Sequence, residues 1–219
     1  MNQVYKIAVV AFFLIAGCNT SRITSSWMAE NNQPKEYKKI LVLGLINEPD
    51  RTIREQMEEH ITGDLRALGY DAVCSCDEFN PKAFENLTEK EALTKLSNSA
   101  IDAVLTVVLL DKQKERYYEP ERIYYSPYGV YHHRFWGYYN TMYGRVFSNG
   151  YYVTSTKYFW ESNFYDLRNG AELLYSAQSR SFDPASTNSL SHEYGQMIVK
   201  DIVKKNILTS QKEIRLKPM

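Results

Sequence analysis

Lys38-Lys39-Ile40-Leu41-Val42-Leu43-Gly44-Leu45-Ile46 places two charges ahead of seven residues that carry none. A continuous apolar run of that length, ended by turn chemistry at Asn47-Glu48-Pro49-Asp50, is the pattern of a strand covered on both faces. Beyond the turn the period changes. Ile53, Met57, Ile61, Leu65 and Leu68 recur at spacings of four and three and stop at Gly69, which predicts an amphipathic helix. Asp50 or Thr52 can cap it, Thr52 forming a capping box with Glu55. A second strand is expected over about 71–79, pointing Ala72, Cys74 and Cys76 to one side. Thr88, with Glu91 three residues on, opens a short helix to about Ser97, and Ala103–Leu110 reads as a third strand. Strand, helix, strand, helix, strand implies right-handed crossovers and a partly parallel sheet.

The second half alternates instead. Tyr152, Thr154, Thr156, Tyr158, Trp160, Ser162 and Phe164 interleave with Lys157, Glu161 and Asn163, as in a half-buried strand. Arg168-Asn169-Gly170 supplies a type I′ hairpin turn, and Leu173, Tyr175 and Ala177 share one side of the return strand. After Phe182-Asp183-Pro184 a last helix runs from about Ser189 to Leu208, with Leu190, Tyr194, Ile198 and Ile202 on one face. The expected architecture is an α/β sandwich: a mixed, roughly five-stranded sheet with three helices. It occupies residues 38–208 as one domain, followed by a loose polar tail, 209–219.

Upstream, Lys6 is the sole charge before ten apolar residues, Ile7 to Ala16. Ten helical residues rise about 15 Å, half of a bilayer core of about 30 Å, so the segment is too short to span. A basic start, a short apolar stretch and a small-residue exit describe a secretory leader, residues 1–17. Its exit, Ile15-Ala16-Gly17-Cys18, looks like a bacterial lipobox, in which the cysteine is acylated and becomes the first residue. Several acyl chains on Cys18 anchor stably, because each buried methylene contributes about 0.8 kcal/mol and one chain alone is marginal. Asn19, where an Asp would resemble an inner-membrane retention signal, favours the outer membrane, and the lack of an acidic run favours its periplasmic face. Residues 18–37, rich in Asn, Ser, Thr and Gln, read as the lipidated Cys and a flexible tether reaching about 25 Å. Trp27 and Met28 interrupt it, either docking on the body or starting an edge strand.

Composition narrows the function. Of 219 residues 44% are hydrophobic and 24% charged, which fits a folded domain. Lys and Arg total 26 against 26 Asp and Glu, and losing Lys6 with the leader leaves a net charge of −1, so no nucleic-acid partner is expected. Three cysteines make no disulfide scaffold. Cys74 and Cys76, two apart on a strand, stand about 7 Å from one another, too far to bridge unless the strand bends, so they are expected as buried free thiols. No second Cys or His cluster answers them, and His132-His133 on an extended segment point opposite ways, so no metal is expected. His60 and His192 read as lone surface or capping groups on helices. Glu58-Glu59 and Glu115, Glu119 and Glu121 fall in solvated charge patterns. With no HExxH, G-x-S-x-G, P-loop or dinucleotide turn, neither catalytic residue nor cofactor is expected.

The unusual stretch is 117–152, which holds eleven of the 18 tyrosines, interleaved with Phe135, Trp136, Phe147 and with Arg122, Arg134 and Arg145. An insertion this long between strands is functional or packs as its own subdomain. Three roles compete: aromatics packed together over a sheet face, a recognition surface for protein, glycan or peptidoglycan, or contact with the lipid interface.

These features together resemble a family of uncharacterised Gram-negative envelope lipoproteins. The matching residues are the lipobox, Ser25-Ser26-Trp27, Lys38 to Leu45, Asp102-Ala103-Val104-Leu105-Thr106-Val107, Tyr158 to Asp166, and Leu174-Tyr175-Ser176-Ala177-Gln178. The α/β pattern is also similar to the amino-terminal domain of TolB and to lipoprotein accessories of envelope machines. The resemblance implies an assembly or transport accessory and carries no catalytic residue across. The expected function is a lipid-anchored, non-enzymatic binding or accessory subunit that meets a protein or glycan partner through Tyr124, Tyr125, Tyr128, Tyr131, Phe135, Trp136, Tyr138 and Tyr139. The rival is a periplasmic hydrolase acting on cell-wall glycan or peptide.

Overall fold

The apolar run after Lys39 forms a central strand. The computed structural model describes residues 20–30, 34–80, 83–84, 86–119, 151–168 and 170–210. In chain order the elements are strands β1 (Ser21–Met28) and β2 (Ile40–Leu45), helix α1 (Thr52–Ala67), strand β3 (Ala72–Cys74), helices α2 (Ser75–Glu78) and α3 (Glu89–Asn98), strands β4 (Ala103–Glu119), β5 (Tyr151–Asp166) and β6 (Glu172–Phe182), and helix α4 (Thr187–Lys204). The chain divides into two compact units, one of residues up to Lys112 and from Lys157 onward, the other Gln113–Thr156.

The first unit is an α/β sandwich around one sheet in the order β1-β6-β5-β4-β2-β3. β2 pairs in parallel with β3 on one side and β4 on the other, while β6 pairs antiparallel with β5 and β1. The alternation in β2 follows from that position. Ile40 and Val42 pack with Ile53, Met57, Ile61 and Leu65 of α1 and Leu190, Tyr194, Ile198 and Ile202 of α4. Leu41 faces the other way, toward Leu96 of α3, Ile101 and Val104. Burying each such side chain stabilises by about 1.5–3 kcal/mol. Gly195 lets α4 approach α1, since a Cβ there would stand 3.2 Å from Ile61 Cγ1. Trp160 of β5 is fully buried between Tyr158 and Tyr194, with ring centroids 5.8 and 5.3 Å away. Among the described residues, tyrosines outside the Tyr-rich stretch belong largely to the core.

Two aspartates fasten the frame, Asp166 buried and Asp102 half-buried. Asp102, just before β4, accepts the Lys38 and Lys39 N–H groups at 2.9 and 3.1 Å. Asp166, at the end of β5, takes the Arg168 Nε and Nη2 at 3.0 and 2.9 Å and Lys35 Nζ at 2.9 Å. Burial alone raises its pKa, but the hydrogen bonds from Arg168 and Lys35 outweigh that and hold it well below the usual carboxylate range. Arg168 also lies over the Tyr37 ring, 4.5 Å from its centroid.

The structure departs from the sequence reading in several places. The sheet has a sixth strand because residues 21–28, expected within the tether, form β1 along β6. Its side chains are mostly polar and one-sided, and the strand is held by its backbone ladder and by Ser21 Oγ, 2.6 Å from Ser181 Oγ, contacts that leave no apolar pattern. A fourth helix exists because the strand expected over 71–79 ends at Cys74 and turns into α2. Thr52 is not a cap: α1 begins there, with its N–H on Asp50 Oδ1 at 2.9 Å. The Thr88–Glu91 capping box is present. The β5–β6 connection runs from Leu167 to Ala171, longer than a two-residue hairpin, with positive φ at Gly170 and Ala171; Asn169 lies outside the described residues.

Candidate functional site

The chain leaves β2 through α1 to reach β3, then crosses back through α3 to β4 on the opposite flank. Since α1 and α3 cover opposite faces, β2 is the point where the winding reverses, and a crevice opens beyond the carboxyl ends of its strands. A cavity of about 460 Å³ lies there. Leu43, Leu45, Phe79 and Leu109 give it apolar walls, Arg54 supplies a positive charge, and Cys76 lies in its floor. Among the described residues lining it there is no carboxylate.

Beneath that floor is Glu58 of α1, which has no solvent exposure. Its carboxylate accepts the Gly44 N–H at 2.8 Å, the Ser75 hydroxyl at 2.8 Å and the Cys76 N–H at 3.1 Å, joining α1 to the ends of β2 and β3. Burial pushes its pKa up, against the pull of these donors and of Arg54. Gly44 makes the approach possible, because a Cβ there would meet Arg54 Cγ at 2.8 Å and Glu58 Oε1 at 2.9 Å. The sequence assignment of Glu58 to a solvated charge pattern is thus corrected. α1 is covered by both the sheet and α4, so its buried face widens beyond the 53-57-61-65 stripe to take in Glu58 and Thr62. The available signal was Gly44 itself, a glycine inside an apolar strand, which marks close approach by another group.

Cys74 and Cys76 are joined in a disulfide, not the pair of free thiols expected from a straight strand. β3 stops at Cys74 and α2 starts at Ser75, so the Cα atoms close to 5.2 Å, within bridging range. Cys74 is 1% exposed, and its Sγ stands 2.9 Å from Glu58 Oε2. Glu58, Cys74 and Cys76 are the one group among the described residues whose ligand atoms lie close enough for an ion, within 4.8 Å of one another. The S–S bond uses both sulfurs, so this arrangement offers no thiolate to a metal.

Cys18 and the proposed contact residues Tyr124, Tyr125, Tyr128, Tyr131, Phe135, Trp136, Tyr138 and Tyr139 lie outside the described residues, as do His132, His133 and Glu121. At the flanks of the Tyr-rich stretch Tyr117 is 49% and Tyr152 61% exposed. Both belong to the second unit, where the Arg116 guanidinium lies 4.3 Å from the Tyr152 ring centroid. Glu115 is exposed on β4. His60 and His192 are not isolated: their rings meet edge-to-face at 5.3 Å, with His60 Nε2 2.7 Å from Asn188 Oδ1. The two sit on different helices, so no spacing in the chain announces the pair. No helix among the described residues is long and apolar enough to cross a membrane.

These observations define an α/β sandwich with a parallel βαβαβ half and an antiparallel half. No protein-family model and no curated protein matches the chain. Solved structures similar to it include a PelC dodecamer from Paraburkholderia phytofirmans (16% identity over 88% of this chain and 98% of that one, TM-score 0.43). Another is lipoprotein GNA1162 from Neisseria meningitidis (18% identity, 76% and 98% covered, TM-score 0.42). A third is hypothetical protein CT253 from Chlamydia trachomatis (11% identity, 78% and 94% covered, TM-score 0.34). Likeness of this degree assigns neither a family nor an activity.

Proposed function

We propose that the chain is a lipid-anchored envelope protein that works by binding: acylated Cys18 holds the α/β unit at the outer membrane, and the Tyr-rich stretch between β4 and β5 contacts a protein or glycan partner. The observation that carries this reading is the contrast in exposure among the tyrosines. Tyr37, Tyr70, Tyr158, Tyr175 and Tyr194 are buried, whereas Tyr117 and Tyr152, at the flanks of the stretch, face solvent. A rigid ring with a polar tip loses little entropy on contact, so exposed tyrosines suit recognition. The engagement of the carboxylates in the frame supports binding over hydrolysis. Asp102, Asp166 and Glu58 each hold backbone N–H groups or cationic side chains in the frame, and a hydrolase needs such groups free to face a substrate.

The test is a triple variant, Tyr124→Ser, Tyr128→Ser and Trp136→Ser, expressed in cells that make the full chain and crosslinked before purification. Retained cooperative melting with loss of the captured partner supports binding. Loss of the cooperative melt makes these aromatics part of a core and refutes it.

A further inference from the structure

We propose that Cys74–Cys76 is a redox-active disulfide that oxidises a thiol-bearing peptide docked in the cavity at the carboxyl end of β2, with Glu58 as the proton donor to the departing sulfur. This rests on the described α/β unit alone and stands whether or not the Tyr-rich stretch binds a partner.

Three features set this bridge apart from a structural staple. It spans a single intervening residue, and because the loop entropy removed by a crosslink grows with loop length, a bridge this short does little for folding. Its sulfurs are unequal: Cys76 lines the open cavity, while Cys74 is buried behind it. A fully buried carboxyl stands against the buried sulfur, with Glu58 Oε2 2.9 Å from Cys74 Sγ. Gly44, Ser75 and Cys76 hold that carboxyl in place through their own hydrogen bonds. Burial raises the proton affinity of Glu58, which suits a group that must hand over a proton. Phe79 and Leu109 offer apolar contact, and Arg54 favours an anionic peptide.

A peptide thiolate attacks Cys76 Sγ, a peptide–Cys76 disulfide forms, and the Cys74–Cys76 bond breaks with its electron pair on Cys74 Sγ. Glu58 protonates that sulfur and recovers a proton from water. A second thiolate then attacks the peptide sulfur of the mixed disulfide, forming the peptide disulfide and releasing Cys76, which takes up the second proton. The two peptide thiols lose two electrons and two protons, and Cys74–Cys76 gains them.

Reduced glutathione, an anionic thiol peptide, is the probe. Full-length protein in detergent is incubated with excess glutathione, and free thiols are counted by maleimide mass tags alongside circular dichroism. Two new thiols should appear while the fold stays native. With oxidised glutathione, Cys74→Ser should acquire an adduct on Cys76 at least ten-fold faster than Cys76→Ser acquires one on Cys74. Glu58→Gln should slow reduction of the bridge about ten-fold and flatten its pH profile. A bridge that opens only on unfolding overturns the proposal, as do equal adduct rates in the two serine variants, or protein isolated with both thiols reduced on one equivalent of zinc. Should Glu58→Gln fail to fold, the two serine variants still decide.

Discussion

Gly44→Ala tests whether α1 is clamped to the parallel strands through Glu58. The added methyl would stand 2.8 Å from Arg54 Cγ and 2.9 Å from Glu58 Oε1, both inside van der Waals contact. Arg54 lines an open cavity and can swing aside, but Glu58 is enclosed and held by three donors. Admitting the methyl means either overpacking, about 1–3 kcal/mol, or moving the carboxyl off buried donors, each of which costs about 1–3 kcal/mol when left unsatisfied. A net loss of about 3 kcal/mol is expected, which for a chain of this size lowers Tm by about 6–12 °C. Thermal unfolding followed by circular dichroism measures it. In a Glu58→Ala background the methyl enters vacated space, so the same change should cost about 1 kcal/mol or less, a coupling of about 2 kcal/mol. Equal losses in both backgrounds, or a loss under about 0.5 kcal/mol in the parent, would refute the clamp.

Asp166→Asn should lower stability by about 2 kcal/mol at pH 7, a value reduced for the partial exposure of Lys35 and Arg168. Because Asp166 is held below its usual pKa in the folded chain, its contribution is complete above about pH 4 and is lost as pH falls from there toward the folded-state value. Denaturant melts of parent and variant should therefore converge below about pH 4, and a constant gap would contradict the ion-pair account. Trp160→Ala removes the largest fully buried side chain among the described residues and should cost about 3–5 kcal/mol by the same melts, whereas Tyr194→Phe, which loses the 2.8 Å contact with Ser162 Oγ, should cost about 1 kcal/mol.

Elements whose two faces both meet apolar neighbours were legible in the sequence. β2, β4 and the stripes of α1 and α4 follow from periodicity because burial acts on whole faces. β1 was not, since an edge strand of Ser, Thr and Arg takes its hold from backbone pairing that leaves no side-chain pattern. The site was legible only in fragments. Gly44 signals a close approach without naming the visitor, and Glu58 looks like its solvated neighbour Glu59 until α1 is known to be covered on two sides. Cys74 and Cys76 read as too distant because the strand was carried past its end; where β3 gives way to α2 is a tertiary matter. The Tyr-rich stretch was conspicuous from composition, which gives an inventory of contacts without their arrangement.

Intact-mass measurement of the mature chain from membranes tests the envelope assignment most directly. The mature chain should begin at Cys18 and carry thioether-linked diacylglycerol and an acylated amino terminus, and a Cys18→Ser variant should leave the membrane fraction. A mature chain that still begins at Met1 with an unmodified cysteine would contradict it.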